Sequence, residues 1–202
     1  VDSLTRLAMA QRQIGLSAGE PPTTKGYTPS VFSMMPRLLE RAGQGGGEGS
    51  ITGVFTVLVE GDDMDDPVAD TVRGIVDGHV ILSRKLASFG HYPPIDVLES
   101  VSRTMPSTVP ATQVEHASRI RELMATWREN EELVRLGAYK RCSDPKVDAA
   151  ILSIPSIEVF LRQGVDENTP FDQVQAVLGR LAGASMAPAA NKRKMRPGSR
   201  RR

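Results

Sequence analysis

Glycine-rich segments, carboxylate clusters, histidines and the cysteine are the places where this chain could do chemistry. The glycines of residues 43–49 are the first candidate, because closely spaced glycines let backbone N–H groups wrap a phosphate. No G-x-x-x-x-G-K-[ST] pattern occurs anywhere, and these glycines precede a β-branched run where a phosphate loop would precede a helix. A connecting turn is the reading that fits. The acidic stretch Glu60-Gly61-Asp62-Asp63-Met64-Asp65-Asp66 invites a calcium loop, but a loop begun at Asp63 puts Pro67 at its fifth position, with no glycine in register. A solvated loop or a partner contact is expected instead. His79, His91 and His116 are scattered, with no cysteine or second histidine within a turn, and Cys142 lacks a His/Asn context. Neither a metal centre nor a catalytic thiol is expected from them. Trp127 lies on an apolar helical face and is expected in a core. On spacing alone the chain shows no complete active site.

The composition bounds what can position such residues. The chain has 202 residues, 40% of them hydrophobic, enough for one domain or somewhat more. One cysteine makes no internal disulfide. No run of 18 apolar residues exists, so no membrane helix is expected. The start at Val1 carries no basic, apolar leader, and a reducing cytoplasmic setting is expected. The formal charge of +1 hides an asymmetry: residues 191–202 hold seven basic side chains and no acidic one. Without them 18 basic face 24 acidic residues, a body of about −6 with a cationic tail.

The periodicities give the elements. A helix is expected over Leu4–Gln13, then a Gly/Pro/Thr-rich loop. A second helix should be capped by Ser30, with Val31, Met34, Met35 and Leu38 at spacings of three and four, ending at Gly43. Ile51–Val59 is the strongest strand signal, apolar enough to be covered on both faces. A helix over Val68–Val76, a strand over His79–Ser83, a helix over Arg84–Phe89 stopped by Gly90 and a last short strand follow. This alternation predicts a mostly parallel α/β sheet. Beyond Pro106, Val114, Ala117, Ile120, Leu123, Met124 and Trp127 repeat at helical spacing. Val147, Ile151 and Ile154 form a second face, and Pro155 is read as the first residue of a third helix carrying Ile157, Phe160 and Leu161. From Gly183 the composition becomes Ala/Gly/Pro and then basic, which predicts disorder.

Several strings carry a resemblance. DSLTRLAMAQRQIGLSAGEPPTTKGYTPSVF, MPRLLERAG, GSITGVFTVLVEGDDMDDPVAD, DGHVILSRKLA and HYPPIDVLESVSR, continued by ENEELVRLGAY and IEVFLRQG, resemble the flagellum-specific protein-export ATPases over about residues 2–165. These are hexameric relatives of the catalytic subunit of rotary ATP synthases. The resemblance implies the C-terminal part of a RecA-like P-loop NTPase domain of α/β class over 1–105 and, from 106, a helical C-terminal domain that the periodicity carries to 182. Residues 166–202 carry no match, and 183–202 are expected from composition to be a disordered basic tail. The phosphate loop and the glutamate that polarises water belong to the family's preceding segment, so this chain alone is expected to be inactive.

Residue by residue, the resemblance makes Asp2 the Walker B acid, holding Mg²⁺ through water, and Arg103 the arginine finger, which in a ring serves the neighbouring subunit's nucleotide. Tyr92 matches the aromatic residue packed on adenine, and Phe160 is expected to complete that pocket. Arg6 and Ser3 are placed beside the nucleotide. Asp62, Asp63, Asp65 and Asp66 match the loop facing the central stalk in the rotary relatives. The implied cofactors are ATP and Mg²⁺. The implied partners are five further copies in a homohexamer, a coiled-coil stalk protein, export chaperones and substrates, and a peripheral regulator, at the inner-membrane export apparatus. The tail is expected to make a weak contact with anionic membrane. Three other readings compete: an injectisome ATPase of the same family, a non-catalytic interaction module, and a hexameric RNA-translocating terminator. The last shares the DS-x-TR-x-A-x-A start. It lacks a match for PSVF or VEGDDM, and the tail lacks aromatics for base stacking, so nucleic acid is not expected.

Overall fold

The computed structural model describes residues 1–184, and the basic tail lies outside them except for Gly183 and Ala184, which continue the last helix. The described chain is mostly helical and divides into two compact units, Val1–His79 and the residues from Val80 onward.

In the first unit, helix α1 (Leu4–Ser17) begins where Ser3 takes an extended backbone and its Oγ accepts the N–H of Arg6 at 3.4 Å. Its buried side is Leu4, Thr5, Ala8 and Gly15. Helix α2 (Pro29–Leu39) starts two residues earlier than expected. Pro29, whose fixed φ suits a first turn, leads it, and Thr28 rather than Ser30 is the residue before it. Ser30 instead shares a hydrogen bond with Thr28 Oγ1 at 3.0 Å and donates its N–H to Glu20 Oε2 at 3.0 Å. Val31, Met35 and Leu39 are buried at spacings of four. Where Gly15 passes Thr28, a Cβ would lie 2.5 Å from Thr28 Oγ1, so only glycine permits this approach of α1 to α2. Helix α3 (Pro67–Ile75) completes the unit's core through Val68 and Val72.

The mostly parallel sheet does not form among the described residues. Strands β1 (Gly43–Gln44) and β2 (Ser50–Ile51) make an antiparallel hairpin, with Gly43 opposite Ile51, so the glycine-rich stretch is a connecting turn as expected. Only Ile51 of the expected 51–59 strand lies in that ladder. The bonds of residues 54–58 go elsewhere. The Val1 amino group donates to Val54 O at 2.8 Å and Thr56 N donates to Val1 O at 3.0 Å, a parallel pairing one residue deep. Leu4 N then donates to Thr56 O at 2.9 Å. Nor is the segment covered on both faces. Phe55 and Val57 pack on the core while Val54 is 76% exposed and Leu58 54% exposed. An apolar β-branched run thus reports extended backbone with an inward face, not the identity of its ladder partner.

At the start of the second unit, β3 (Gly78–Leu82), which begins two residues before Val80, pairs with β4 (Ile95–Ser102), and the short helix α4 (Arg84–Ser88) lies between them in sequence. Helix α5 (Met105–Thr108) leads to α6 (Ala111–Arg135), α7 (Pro145–Leu161) and α8 (Phe171–Ala184). Ile120, Leu123, Ala150 and Ile157 form their core, with Trp127 packed against it as expected. Pro155 does not open a helix. It lies inside α7, and Val147, Ala150, Ile154 and Ile157 make one buried face that runs across it. Apolar burial on both sides of the proline holds the helix together despite the backbone bond that Pro155 cannot donate.

Candidate functional site

The expected site residues fall in both units, and each group is built by its own unit. Asp2, Ser3 and Arg6 are brought together at the start of α1. Ser3 is buried as the helix cap, while Asp2 and Arg6 are exposed. Asp2 Oδ1 accepts from the Thr56 hydroxyl at 2.8 Å. One turn on, the buried Thr5 hydroxyl donates to Leu58 O at 3.0 Å and accepts from Leu58 N at 2.9 Å. These two threonines, which sequence reasoning passed over, tie the Asp2 end of α1 to the extended 54–58 segment. Hydroxyls that bond groups more than fifty residues away, Thr5 buried and Thr56 exposed, leave no local pattern to read.

The acidic loop is equally built. Asp66 caps α3, its Oδ1 accepting from Val68 N at 2.9 Å and Ala69 N at 3.3 Å. Asp63 pairs with Lys25, and Asp63 Oδ1 also accepts Asp65 N at 3.0 Å. The hydrogen bond from Lys25, followed by that from Asp65 N, holds the Asp63 carboxyl below its ordinary value, and the same pairing raises Lys25. Asp66 lies 3.8 Å from the Lys25 ammonium.

In the second unit, Gly90, at φ +69, ends α4, and the buried His91 donates its N–H to Leu86 O at 3.0 Å. Tyr92 follows, 56% exposed and so outside the core. Its carbonyl accepts Gln163 N at 2.9 Å, which ties this loop to the end of α7, where Phe160 is half-buried. Arg103 is exposed in the link between β4 and α5, where Ser102 Oγ accepts Met105 N at 3.1 Å.

Two further arginines, unremarked in the sequence, grip β4 from α6. Arg121 donates to the carbonyls of Val97, of Leu98 at 3.0 Å and of Ser100 at 3.1 Å. Arg128 donates to both oxygens of Asp96 at 2.8 Å and to Glu99 at 3.1 Å. Burial raises the Asp96 carboxyl, but the Arg128 bonds and the N–H groups of Glu99 and Leu98 outweigh it and leave its pKa lowered. Their spacing of seven, two helical turns on one face, was the available signal.

Among the described residues no group of three or more His, Cys, Asp or Glu could hold a metal ion. Nor is any helix among them long and apolar enough to cross a membrane. The expected lipid contact of the tail lies outside the described residues.

A profile of the ATP synthase alpha/beta family, nucleotide-binding domain, matches residues 1–102, and one of the T3SS EscN ATPase C-terminal domain matches 109–180. The chain is 52% identical over 183 residues to the flagellum-specific ATP synthase of Bacillus subtilis, covering 91% of this chain and 42% of that protein. Among solved structures it is similar to the assembled ATPase EscN of the enteropathogenic E. coli type III secretion system. The TM-score is 0.86 at 40% identity, over 89% of this chain and 43% of that one. It is also similar to assembled EscN in complex with its central stalk EscO, with a TM-score of 0.80 at 39% identity, over 89% of this chain and 42% of that one. The chain thus spans about two-fifths of the length of the curated relatives it matches.

Proposed function

The chain belongs to the ATP synthase alpha/beta family, in its flagellum-specific and type III secretion ATPase branch, and from that membership we propose that it supplies part of an ATPase energising flagellar protein export. The observation that carries the reading is the 52% identity to a flagellum-specific enzyme, sustained over 91% of the chain.

In this reading Asp2 holds Mg²⁺ through water. The fit is good: the carboxylate is exposed, one oxygen is oriented by Thr56, and Mg²⁺ characteristically takes one or two carboxylates together with phosphates and waters rather than an all-protein cage. When bound, Mg²⁺ neutralises charge on the phosphates. Ser3 fixes the turn that presents Asp2, and Arg6 lines the nucleotide from the first turn of α1. Tyr92 packs on the adenine, and Phe160 adds apolar contact from α7. Arg103 reaches the nucleotide of the next subunit in a homohexamer. A guanidinium placed there is worth roughly 10³–10⁵ in rate. Asp62, Asp63, Asp65 and Asp66 face a basic stalk, where complementary charge gives steering and registry. The EscN complex with its central stalk supports this. Chaperones, export substrates and a peripheral regulator complete the partners of the whole protein, at the cytoplasmic side of the export apparatus.

The test is a chimera in which this chain replaces the matched 42% of the Bacillus subtilis enzyme. It is expected to hydrolyse ATP and restore flagellar export in a strain lacking its own enzyme, and Arg103→Ala in the chimera to lose at least about 10³-fold in kcat. A folded, nucleotide-binding chimera without hydrolysis overturns the reading. The EscN profile over 109–180 favours a second one, an injectisome ATPase. Hydrolysis with restored injectisome secretion but no flagellar export selects it.

A further inference from the structure

We propose that Arg121 is a positioning residue for Arg103: its guanidinium holds the end of β4 from which the Arg103 link departs. The inference rests on the reading of Arg103 as the arginine finger for its catalytic consequence, but its structural half stands apart from that reading.

Three main-chain carbonyls within four residues converge on one side chain. Arg121 Nη1 bonds Val97 O and Ser100 O, and Nη2 bonds Leu98 O. A guanidinium is suited to this, being planar, always charged and carrying several donors in a fixed fork. Carbonyls of a regular strand point alternately to its two sides, so three can meet one head only if the backbone turns. Residues 96–100, although part of β4, depart from a regular strand through bonds of their own. Asp96 Oδ1 accepts Leu98 N at 3.0 Å and Glu99 N at 3.1 Å, and the Ser100 hydroxyl donates to Asp96 O at 2.6 Å. The same hydroxyl accepts Ile81 N at 3.0 Å, so Ser100 reaches β3 with its side chain while its carbonyl goes to Arg121. Without Arg121, three partly buried carbonyls on one stretch lose their shared donor, while the Arg128 pairs with Asp96 and Glu99 hold side chains rather than these carbonyls.

Arg103 lies three residues beyond Ser100. The intervening chain spans at most about 10 Å, and Ser102 Oγ on Met105 N closes its far side. Slack at Ser100 therefore passes directly to Arg103. A transition-state contact tolerates little of it, because a 1 Å misplacement can cost about 10²-fold.

Two measurements decide the matter, each on Arg121→Gln and on Arg121→Lys, which keeps the charge and stem but not the fork. In the full chain, hydrogen exchange at Val101–Thr104 is expected to accelerate about tenfold or more, while core amides of α6–α8 change less than about twofold. No acceleration at Val101–Thr104, or an equal acceleration throughout α6–α8, overturns the proposal by making Arg121 inert or merely structural. Should Arg121→Gln not fold, Arg121→Lys carries the comparison. In the chimera, kcat is expected to fall about 10–100-fold with KM nearly unchanged. Arg103→Ala separates the two claims. If it leaves kcat intact, the finger reading fails and the exchange result still decides positioning. If it abolishes kcat while both Arg121 variants retain theirs, the positioning proposal fails.

Discussion

Lys25 and Asp63 meet across two tight turns, each built of two successive left-handed residues: Lys25 and Gly26 at φ +50 and +75, Gly61 and Asp62 at φ +60 and +61. A non-glycine residue in that region is costly unless its surroundings hold it there. Main-chain bonds close each turn, Gly26 N to Thr23 O at 2.9 Å and Asp63 N to Glu60 O at 3.0 Å, and the two are joined by an ion pair between half-exposed side chains, the kind that salt screens readily. The Asp63 carboxyl, lowered chiefly by the Lys25 hydrogen bond, contributes above its ordinary value of 3.8, and that contribution is lost as pH falls through the lowered one. Raised Lys25 contributes below 10.5 and loses its share as pH rises through its folded value. Between these limits the turns are tied. Carboxyl ¹³C titration is expected to show Asp63 below 3.8 in the native chain and moved up toward it in Lys25→Gln, with 0.5 M salt producing part of the same shift (roughly three times the ionic strength of physiological medium). An Asp63 titration that ignores both changes removes the pair from solution.

At the level of elements, α7 shows how far sequence could be read. Its apolar spacing and its Asp144-Pro145 start announce a helix, and Asp144 does cap it, accepting Lys146 N at 2.8 Å. Pro155 suits a first helical turn as well as it suits a tolerated interior break, and sequence cannot separate the two when apolar residues continue on both sides. Because the proline is exposed and lies within the helix, Pro155→Ala restores an N–H facing Ile151 O and is expected to stabilise the chain by about 1–3 kcal/mol. Urea unfolding checks this, and a loss of stability would mean that the break itself is required. The same limit explains the other departures. Of the strand expected over 51–59 only Ile51 lies in a ladder, because ladder partners are set by tertiary pairing that local propensity does not encode. Asp2, Tyr92 and Arg103 became visible through long matched strings rather than through spacing. Arg121 and Thr5 stayed hidden, since a side chain serving distant carbonyls looks like an ordinary helix-face residue.

Among the described residues, stability is organised around two cores that share no residue. Leu4, Val31, Met35 and Val68 anchor one, and Ile120, Leu123, Ala150 and Ile157 the other. Met35 and Ile157 are almost fully buried, at 0% and 1% exposure, so truncating either leaves a cavity worth about 2–5 kcal/mol. Without shared partners the two losses should add rather than couple. Native-state hydrogen exchange is therefore expected to show Met35→Ala lowering protection in α1–α3 and Ile157→Ala lowering it in α6–α8, with the double variant showing both losses at their single-variant size. Protection falling equally through all these helices in either single variant would instead mark the chain as one cooperative body. On the proposed reading the distinction bears on function, because Asp2 belongs to the first unit and Arg103 and Tyr92 to the second. Each group is then expected to keep its local geometry when the other core is loosened, so in the proposed chimera a loss of hydrolysis from Met35→Ala or Ile157→Ala would be traced to the unit that was weakened.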